Sequence, residues 1–554
     1  MLTPNLVKRI INETAGVFLI EEFRETSDSD ALIGIIGTAL DNQDFPIRWE
    51  VRIEASYPYR TRNQTSIHFF NKELIDYPHI MEKGSLCMQP AVYEKPEDQF
   101  ALDLENLKIW VKTYYLEKKL DEHYEYLIKA INPINGVYYA YYFSDPEEDL
   151  EDEDFGTVLY AEIMSGKRGE ICIENYIMQR LVSRKHTKKK EIRSVISSAY
   201  LGLKNRKGLY CLLKEAPSVH GKFLVSSFEE LSRYFNQRQK NWIHEFIQEN
   251  RGYLNSPFPL FSGYRTPDKK LHWEVILIFP EYLPIEVSRL KIDTTNIWNT
   301  EFKKGNIIWA ETNNISYDHF FGRGALPQVI TEKSILIMGI GAIGSVVAET
   351  LARCGAKKIT LHDIDVKRPG NICRSTYQFI TGFNFKTDEL QLRLNSISPH
   401  IECHILDPVD IEGGIKKAAS ENDYRNFKTI LDSYDIVFDC TTDNLLMHLI
   451  EKSNTSAFVI NLSITNHAQD LICALSPNIS ETVRTIYKFL NRDSSSDLFN
   501  PTGCWNPTFK ASYNDISTLT QYALKHIIKM LNNQTPKNSF YITEINEELS
   551  INRV

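Results

Sequence analysis

The chain has no CxxC pair among its nine cysteines and no uncharged apolar run long enough to cross a bilayer. The first absence excludes a zinc ribbon and a thioredoxin-type redox site, both of which need paired thiols at that spacing. The second excludes a spanning helix, which takes about 20 apolar residues. No signal-peptide pattern follows Met1, so a cytoplasmic protein with reduced thiols is expected. Positive charge is not in excess: 63 Lys and Arg face 72 acids, and the net charge of -9 argues against a dedicated nucleic-acid binder. No internal repeat is visible, which excludes a solenoid.

At 554 residues the chain exceeds one core, and two to four domains are expected. The clearest break is "SDPEEDLEDEDFG" (144–156), with eight acids and no base, which reads as a solvated loop or linker. The expected division is 1–143, 144–315 and 316–554. In the first part, a helix over 1–14 precedes the strands "ALIGIIGTAL", "IRWEVRIEA" and "TSIHFF". Apolar residues three and four apart in 102–131 then predict one or two helices, giving an α+β module. The middle part offers a strand in "LHWEVILIFPEYL", a helix over 228–250 and a basic run "RKHTKKKEIR" that reads as a solvated face. No chemistry is readable there. From Lys333 the pattern alternates: strand 334–339, helix 343–354, strand 357–362, helix 386–397, strand 435–439. Such alternation predicts a doubly wound parallel sheet.

The stretch "SILIMGIGAIGSVVAETLARCGAKKITLHDID" (334–365) opens this last part. Gly339, Gly341 and Gly344 let a strand end turn tightly into a helix whose N-terminus faces a phosphate. Asp363 closes the next apolar run, where a ribose hydroxyl needs an acceptor. A nucleotide site follows, either a redox dinucleotide or ATP. Downstream, "IDVKRPGNICRSTY" places Asp365, Asn371 and Arg374 on a loop, Lys386 starts a helix, and "YDIVFDCTTDN" puts Asp443 past another strand end. Singly these are ordinary surface charges. In this order they favour ATP, because nucleotidyl transfer needs cations on the phosphates and a carboxylate for Mg²⁺, and hydride transfer does not.

This order of residues resembles the ubiquitin-activating-enzyme superfamily, which includes the bacterial ThiF and MoeB adenylyltransferases, over roughly 318–515. The resemblance implies that Gly339, Gly341 and Gly344 form the nucleotide turn and that Asp363 takes the ribose. It implies Asn371, Arg374 and Lys386 for the phosphates and Asp443 for the metal. The segment "HFFGRG" looks like the one that lends an arginine, here Arg323, to a second copy's ATP, and so implies a homodimer. Many relatives carry a structural zinc on two CxxC pairs, which this chain lacks.

An acyl adenylate is commonly captured by a thiol, since thioesters persist in water and still acylate amines. Cys504, in the turn-rich "NPTGCWNPTF", is the candidate within the third part. Cys440 and Cys473 sit in apolar runs and read as core; Cys373 is second choice. A further thiol, Cys87, ends "SIHFFNKELIDYPHIMEKGSLCMQP", eight residues after His79. That segment resembles ubiquitin-conjugating enzymes, in which an H-P-N histidine precedes the acceptor cysteine by the same interval. Ile80 and Met81 replace the Pro and Asn, which leaves the oxyanion donor unassigned; a buried Cys87 beside a structural His79 is the bland alternative.

Together the three parts resemble the fused activating–conjugating proteins of CBASS anti-phage operons. The implied activity is ATP- and Mg²⁺-dependent adenylation of a partner protein's C-terminus, relay through Cys504 to Cys87, and transfer to an amine. The implied partner is a cGAS/DncV-like nucleotidyltransferase, with no direct nucleic-acid or membrane contact. Three alternatives stay open: conjugation of a ubiquitin-like protein, ThiF-like adenylation of a small molecule or sulfur carrier, and a non-catalytic nucleotide-binding scaffold.

Overall fold

The computed structural model describes residues 2–26, 30–41, 43–60, 65–88, 95–119, 127–129, 131–186, 188–250, 257–279, 285–292, 295–421, 423–490, 499–501, 507–509, 511–545 and 548–554. The chain forms two compact units, one of 1–142, 148–192 and 204–313, the other of 143–147, 193–203 and 314–554. Among the described residues, no helix is long and apolar enough to cross a membrane.

In the first unit, α1 (Pro4–Glu13) precedes an antiparallel meander of β1 (Val17–Glu25), β2 (Leu32–Thr38), β3 (Ile47–Ile53) and β4 (Ile67–Phe70). Thr3 caps α1, its hydroxyl accepting from the Leu6 N–H, and Pro4 starts it with a preset φ. The strict alternation of β3 turns Ile47, Trp49, Val51 and Ile53 inward. Behind them lies α2 (Pro96–Trp110), which contributes Phe100, Leu104, Leu107 and Trp110 to one core. A π-helical turn, Val111–Leu116, extends α2.

A nine-stranded mixed sheet follows, whose central run is Leu271–Ile278, Phe258–Arg265, Asn205–Leu212, Phe155–Glu162, Ile171–Ser183 and Val137–Phe143. The helix predicted over 228–250 is two pieces, Phe228–Leu231 and Gln237–Asn250. Asn236 separates them, its Oδ1 accepting from the Gln239 N–H while Gln239 Oε1 accepts from the Asn236 N–H. The longer piece is seated on the sheet by Trp242 Nε1, which donates to the Gly156 carbonyl at 2.9 Å.

The acidic run is solvent-facing for most of its length, as expected, but it is not a loose linker. Glu148 pairs with Lys190 at 2.7 Å, and Glu151 with Lys185 at 3.1 Å. The acidic and basic runs that the sequence reading kept apart are thus mutual partners. Asp154 is buried, and its Oδ1 accepts from the Phe155 N–H, the Ser183 hydroxyl and the Tyr210 hydroxyl.

The second unit carries an eight-stranded sheet in the order Glu402–Ile405, Lys358–His362, Ser334–Met338, Ile436–Asp439, Phe458–Thr465, Asp470–Leu475, Phe540–Ile545, Glu548–Arg553. The first five strands pair in parallel. By chain order these five run 3-2-1-4-5, a doubly wound sheet whose direction reverses between Ser334–Met338 and Ile436–Asp439. Ligands bind such sheets at that reversal, beyond the carboxyl ends of the strands. Helices Ala342–Arg353 and Tyr513–Leu531 pack together on this core.

Candidate active site

Gly339 and Gly344 are required by close approach. Gly339 has φ +77°, and a Cβ there would lie 2.6 Å from the Thr441 Cα. A Cβ on Gly344 would lie 2.1 Å from the Gly339 carbonyl oxygen. Beside Gly341 the space is open, and this residue precedes helix Ala342–Arg353, whose first amides have no partner within the helix. A phosphate fits there.

Asp363 is tied to the same turn: its Oδ2 accepts from the Ile340 N–H at 2.9 Å and its Oδ1 from the Asp365 N–H at 2.8 Å. Lys386, the first residue of helix Lys386–Ile397, is buried. Its Nζ donates to Asp365 Oδ2 at 2.8 Å and lies 3.7 Å from Asp363 Oδ1. The structure therefore joins the glycine turn, Asp363 and Lys386. Asn371 and Arg374 lie on the 3₁₀ turn Pro369–Arg374, where Asn371 Oδ1 accepts from the Arg368 N–H at 2.7 Å. Tyr377 anchors that loop by donating its hydroxyl to the Ile340 carbonyl at 2.6 Å.

Asp443 caps helix Asn444–Ser453, its Oδ1 accepting from Leu445 and Leu446 N–H at 2.8 and 3.2 Å. It is exposed. A single exposed carboxylate suits Mg²⁺, which keeps waters and phosphate oxygens in its shell. Among the described residues no group of three or more His, Cys, Asp or Glu forms a protein-only metal cage. Arg323 is exposed, just beyond helix Tyr317–Phe321.

Two supports escaped the sequence reading. Asp439 is buried; burial pushes its carboxyl up, against hydrogen bonds from Thr441 and Asn461. Its Oδ1 accepts from the Thr441 hydroxyl at 2.6 Å and its Oδ2 from Asn461 Nδ2 at 2.8 Å, fixing the turn that leads to Asp443. Lys367, 2% exposed, ion-pairs with Glu389 and also donates to the Gln378 carbonyl and the Thr381 hydroxyl. A lysine in the segment "IDVKRPGNICRSTY" reads as surface; no local signal marks it as buried.

Cys504 lies outside the described residues. Cys440 and Cys473 are buried, as their apolar runs suggest, and burial pushes both thiols up. Cys373 is exposed. In the first unit Cys87 is also exposed, which sets aside the buried-cysteine alternative. Its N–H donates to the His79 carbonyl at 2.7 Å, beside an antiparallel bridge between Ile80 and Leu86. Trp110 Nε1 donates to the Pro78 carbonyl at 2.9 Å, and His79 Nε2 is 3.0 Å from the Tyr114 hydroxyl. A shallow cavity lined by Tyr57, Pro58, Ser66, Leu86, Met88 and Asp103 adjoins this loop. In it the Tyr57 hydroxyl donates to Asp103 Oδ2 at 2.7 Å, and burial pushes the Asp103 carboxyl up.

The family model falls on the second unit. Residues 314–454 match the ThiF family. That ThiF region begins just before the exposed Arg323 and ends with the helix capped by Asp443. Over 303 residues, the chain is 24% identical to "ATP-dependent ubiquitin transferase-like protein Cap2" of Enterobacter hormaechei, covering 51% of this chain and 48% of that one. It is 38% identical over 73 residues to ubiquitin-like modifier-activating enzyme 5 of Dictyostelium discoideum, covering 13% and 19%. It is 28% identical over 119 residues to molybdopterin-synthase adenylyltransferase of Haemophilus influenzae, covering 21% and 44%. The matches thus span less than half the length of each relative. Among solved structures, E. coli MccB with ATP matches 41% of this chain and 64% of its own, at 19% identity and TM-score 0.29.

Proposed function

We propose that the chain is an ATP-dependent conjugation enzyme, with ATP and the C-terminal carboxylate of a partner protein as its first substrates. One observation carries this reading. A glycine turn opening a helix, the Asp363–Lys386 pair and the exposed Asp443 all stand at the reversal of the ThiF region's sheet. The relatives' names point the same way, to a ubiquitin transferase-like protein, a modifier-activating enzyme and an adenylyltransferase.

In the proposed first step a carboxylate oxygen attacks the α-phosphorus, a P–O bond forms, and pyrophosphate leaves with the electron pair. Asp363 accepts from the ribose hydroxyls. The N-terminal amides of helix Ala342–Arg353 hold the phosphates. Lys386, Arg374 and Asn371 steady the charge that grows on the leaving pyrophosphate. Mg²⁺ held at Asp443 would supply further neutralisation of that charge. A homodimer in which Arg323 of one copy serves the ATP of the other completes this site.

Cys504 then takes the acyl group, Cys87 receives it by thioester exchange, and an amine on the target resolves it to an amide. The proposed partner is a cGAS/DncV-like nucleotidyltransferase and the proposed setting anti-phage defence. The eight described cysteines are free thiols, in keeping with a reducing cytoplasm. A small-molecule adenylating enzyme, by contrast, has no use for Cys87. The test is exchange of radiolabelled pyrophosphate into ATP by the full chain, with and without the candidate nucleotidyltransferase. Partner-dependent exchange is expected. Binding of NAD⁺ with no binding of ATP overturns the reading.

A further inference from the structure

The Cys87 loop is held by two sets of contacts, and one of them comes from the middle part of the chain. Residues 75–79, which lead into the loop, form turns rather than a helix or strand, so their position depends on what grips them. Trp110 does so from nearby: its Nε1 donates to the Pro78 carbonyl at 2.9 Å, and its ring meets Tyr77 edge-on with centroids 6.3 Å apart. The second set lies far along the chain but within the same compact unit. Lys222 Nζ donates to the Tyr77 carbonyl at 2.6 Å, and His220 Nδ1 is 2.6 Å from Asp76 Oδ1. The next residue after Pro78, His79, accepts the Cys87 N–H on its carbonyl at 2.7 Å. A displacement of Tyr77 therefore reaches Cys87 through Pro78, His79 and one hydrogen bond.

Lys222 and His220 stand at the tip of a hairpin that pairs Ser218–Val219 with Phe223–Leu224. Its turn is closed by the Lys222 N–H on the Val219 carbonyl at 3.3 Å and has positive φ at both central residues, +54° at His220 and +69° at Gly221. Such a turn matches the twist of the strands, and glycine, asparagine or aspartate usually supplies it. A histidine is a less usual choice, and its ring is the group that meets Asp76. The base of the hairpin is firmly seated. The Tyr234 hydroxyl donates to the Ser218 carbonyl at 3.1 Å, and Trp309 Nε1 to the Val225 carbonyl at 2.9 Å. Leu224 and Val225 are buried in one core with Leu231, Trp242 and Leu260. Ile128 adds a further pairing: its N–H donates to the Lys222 carbonyl at 2.7 Å, and its carbonyl accepts from the Leu224 N–H at 3.1 Å. One residue on, Lys129 ion-pairs with the buried Glu274.

We propose that the middle part of the chain is a positioning element for acyl transfer at Cys87, with Lys222 as its positioning residue, an inference that rests on the conjugation reading above. In the reaction it serves, an amine attacks the Cys87 thioester and a C–N bond forms. The C–S bond breaks, the Cys87 thiolate leaves with the electron pair, and the surplus ammonium proton passes to water. Lys222 takes no part in those bonds. Its charged donor, about twice as strong as a neutral one, holds the Tyr77 carbonyl in place and, through His79, the backbone of Cys87. A displacement of about 1 Å at a reacting group costs up to about 10²-fold in rate. His220 and Asp76 are both exposed, and their pair contributes less.

The test uses the full chain and a fluorescent peptide ending in Gly-Gly, supplied as its 2-mercaptoethanesulfonate thioester. Loading of Cys87 and release to free lysine are followed by gel, with the adduct located by mass spectrometry. Lys222→Met keeps the length of the side chain and removes the donor. It should slow both acyl transfers about 10-fold and speed hydrogen exchange at the Cys87 amide. The melting temperature and the rate of Cys87 alkylation by iodoacetamide should stay unchanged, since alkylation needs only an exposed thiol. Lys222→Arg, which can still donate, should restore most of the transfer rate. Acyl transfer at the wild-type rate in Lys222→Met overturns the inference. A loss in Lys222→Arg as large as in Lys222→Met overturns it too, and so does a parallel fall in alkylation, which marks a merely structural lysine. If wild type loads or releases no faster than Cys87→Ala, the conjugation reading fails and this inference falls with it.

Discussion

The nucleotide turn and the Cys87 loop are assembled in opposite ways. Strand, turn and helix follow one another in sequence at 334–353, and the glycines meet backbone of their own turn and of the neighbouring strand end. The Cys87 loop is short and irregular, and it is shaped by side chains from far along the chain: Trp110 is 32 residues from Pro78, and Tyr114 is 35 residues from His79. The first site should therefore fail through its own residues. The second should fail through residues distant in sequence from Cys87. Variants on each side sharpen or break that contrast.

The largest effect is expected at Lys367, which supports the nucleotide loop from below. Lys367→Met leaves Glu389 buried without its cation, at a cost of about 3–5 kcal/mol. Burial alone would raise the Glu389 carboxyl, but hydrogen bonds from Lys367, Thr381 and the Gln378 N–H outweigh it, and the net direction is down. A depressed folded-state value contributes stability above the unfolded value, near about 4.3, and that contribution is lost as pH falls through the folded value. The deficit of Lys367→Met should accordingly be full at pH 7 and shrink below about pH 4. Urea unfolding at both pH values measures it; an equal deficit at both would show that the pair is not its source.

Next comes Asp443. Because this side chain caps a helix, alanine confounds the loss of the proposed metal carboxylate with the loss of the cap, the latter worth about 0.5–2 kcal/mol. Asp443→Asn keeps the cap and removes the charge. Pyrophosphate exchange should fall at least about 10²-fold, roughly 3 kcal/mol, with the melting temperature unchanged. Cys87→Ala should leave exchange at the wild-type level. Loss of exchange in Cys87→Ala would mean that the two sites are not separable, and the contrast between them would collapse.

Trp110→Phe probes the loop from afar. The ring survives, but the Pro78 carbonyl loses its donor, which costs about 1–3 kcal/mol if the group stays dry. Denaturant unfolding should show that loss in the first unit, while pyrophosphate exchange is spared.

The same contrast explains what could be read from the chain. The predicted strand 334–339 is Ser334–Met338, and the predicted helix 386–397 is Lys386–Ile397, because apolar period and glycine punctuation are local signals. Gly339, Gly341, Gly344, Asp363 and Lys386 could be singled out for that reason, and the structure brings the glycine turn, Asp363 and Lys386 together. Asp439 and Lys367 could not. Their role comes from burial, and burial of a charge is decided by partners such as Asn461 and Glu389 that no spacing rule connects to them. In the middle region Leu271–Ile278 answers to the expected strand, and Phe228–Leu231 and Gln237–Asn250 to the expected helix. Its sheet pairs 137–143 with 171–183 across the acidic run, and a charge run that finds its partners in another run looks like a linker until both are seen together.

The smallest effect separates distance along the chain from burial. Glu148 and Lys190 meet across a longer loop than Trp110 and Pro78 do, yet both side chains are more than half exposed. An exposed pair in water is worth about 0–1 kcal/mol and is screened by salt. Glu148→Gln should therefore shift the unfolding free energy by less than about 0.5 kcal/mol, and the shift should vanish in 1 M salt. Asp154, in the same acidic run but buried with three donors on one oxygen, is the counter-case. Asp154→Ala strands those donors and should cost at least about 1–3 kcal/mol, insensitive to salt. If Glu148→Gln proved as damaging as Asp154→Ala, contact across a long stretch of chain would matter in itself. The small, salt-sensitive effect expected of one and the larger loss in the other would instead make burial the deciding variable, in the acidic run as in the Cys87 loop.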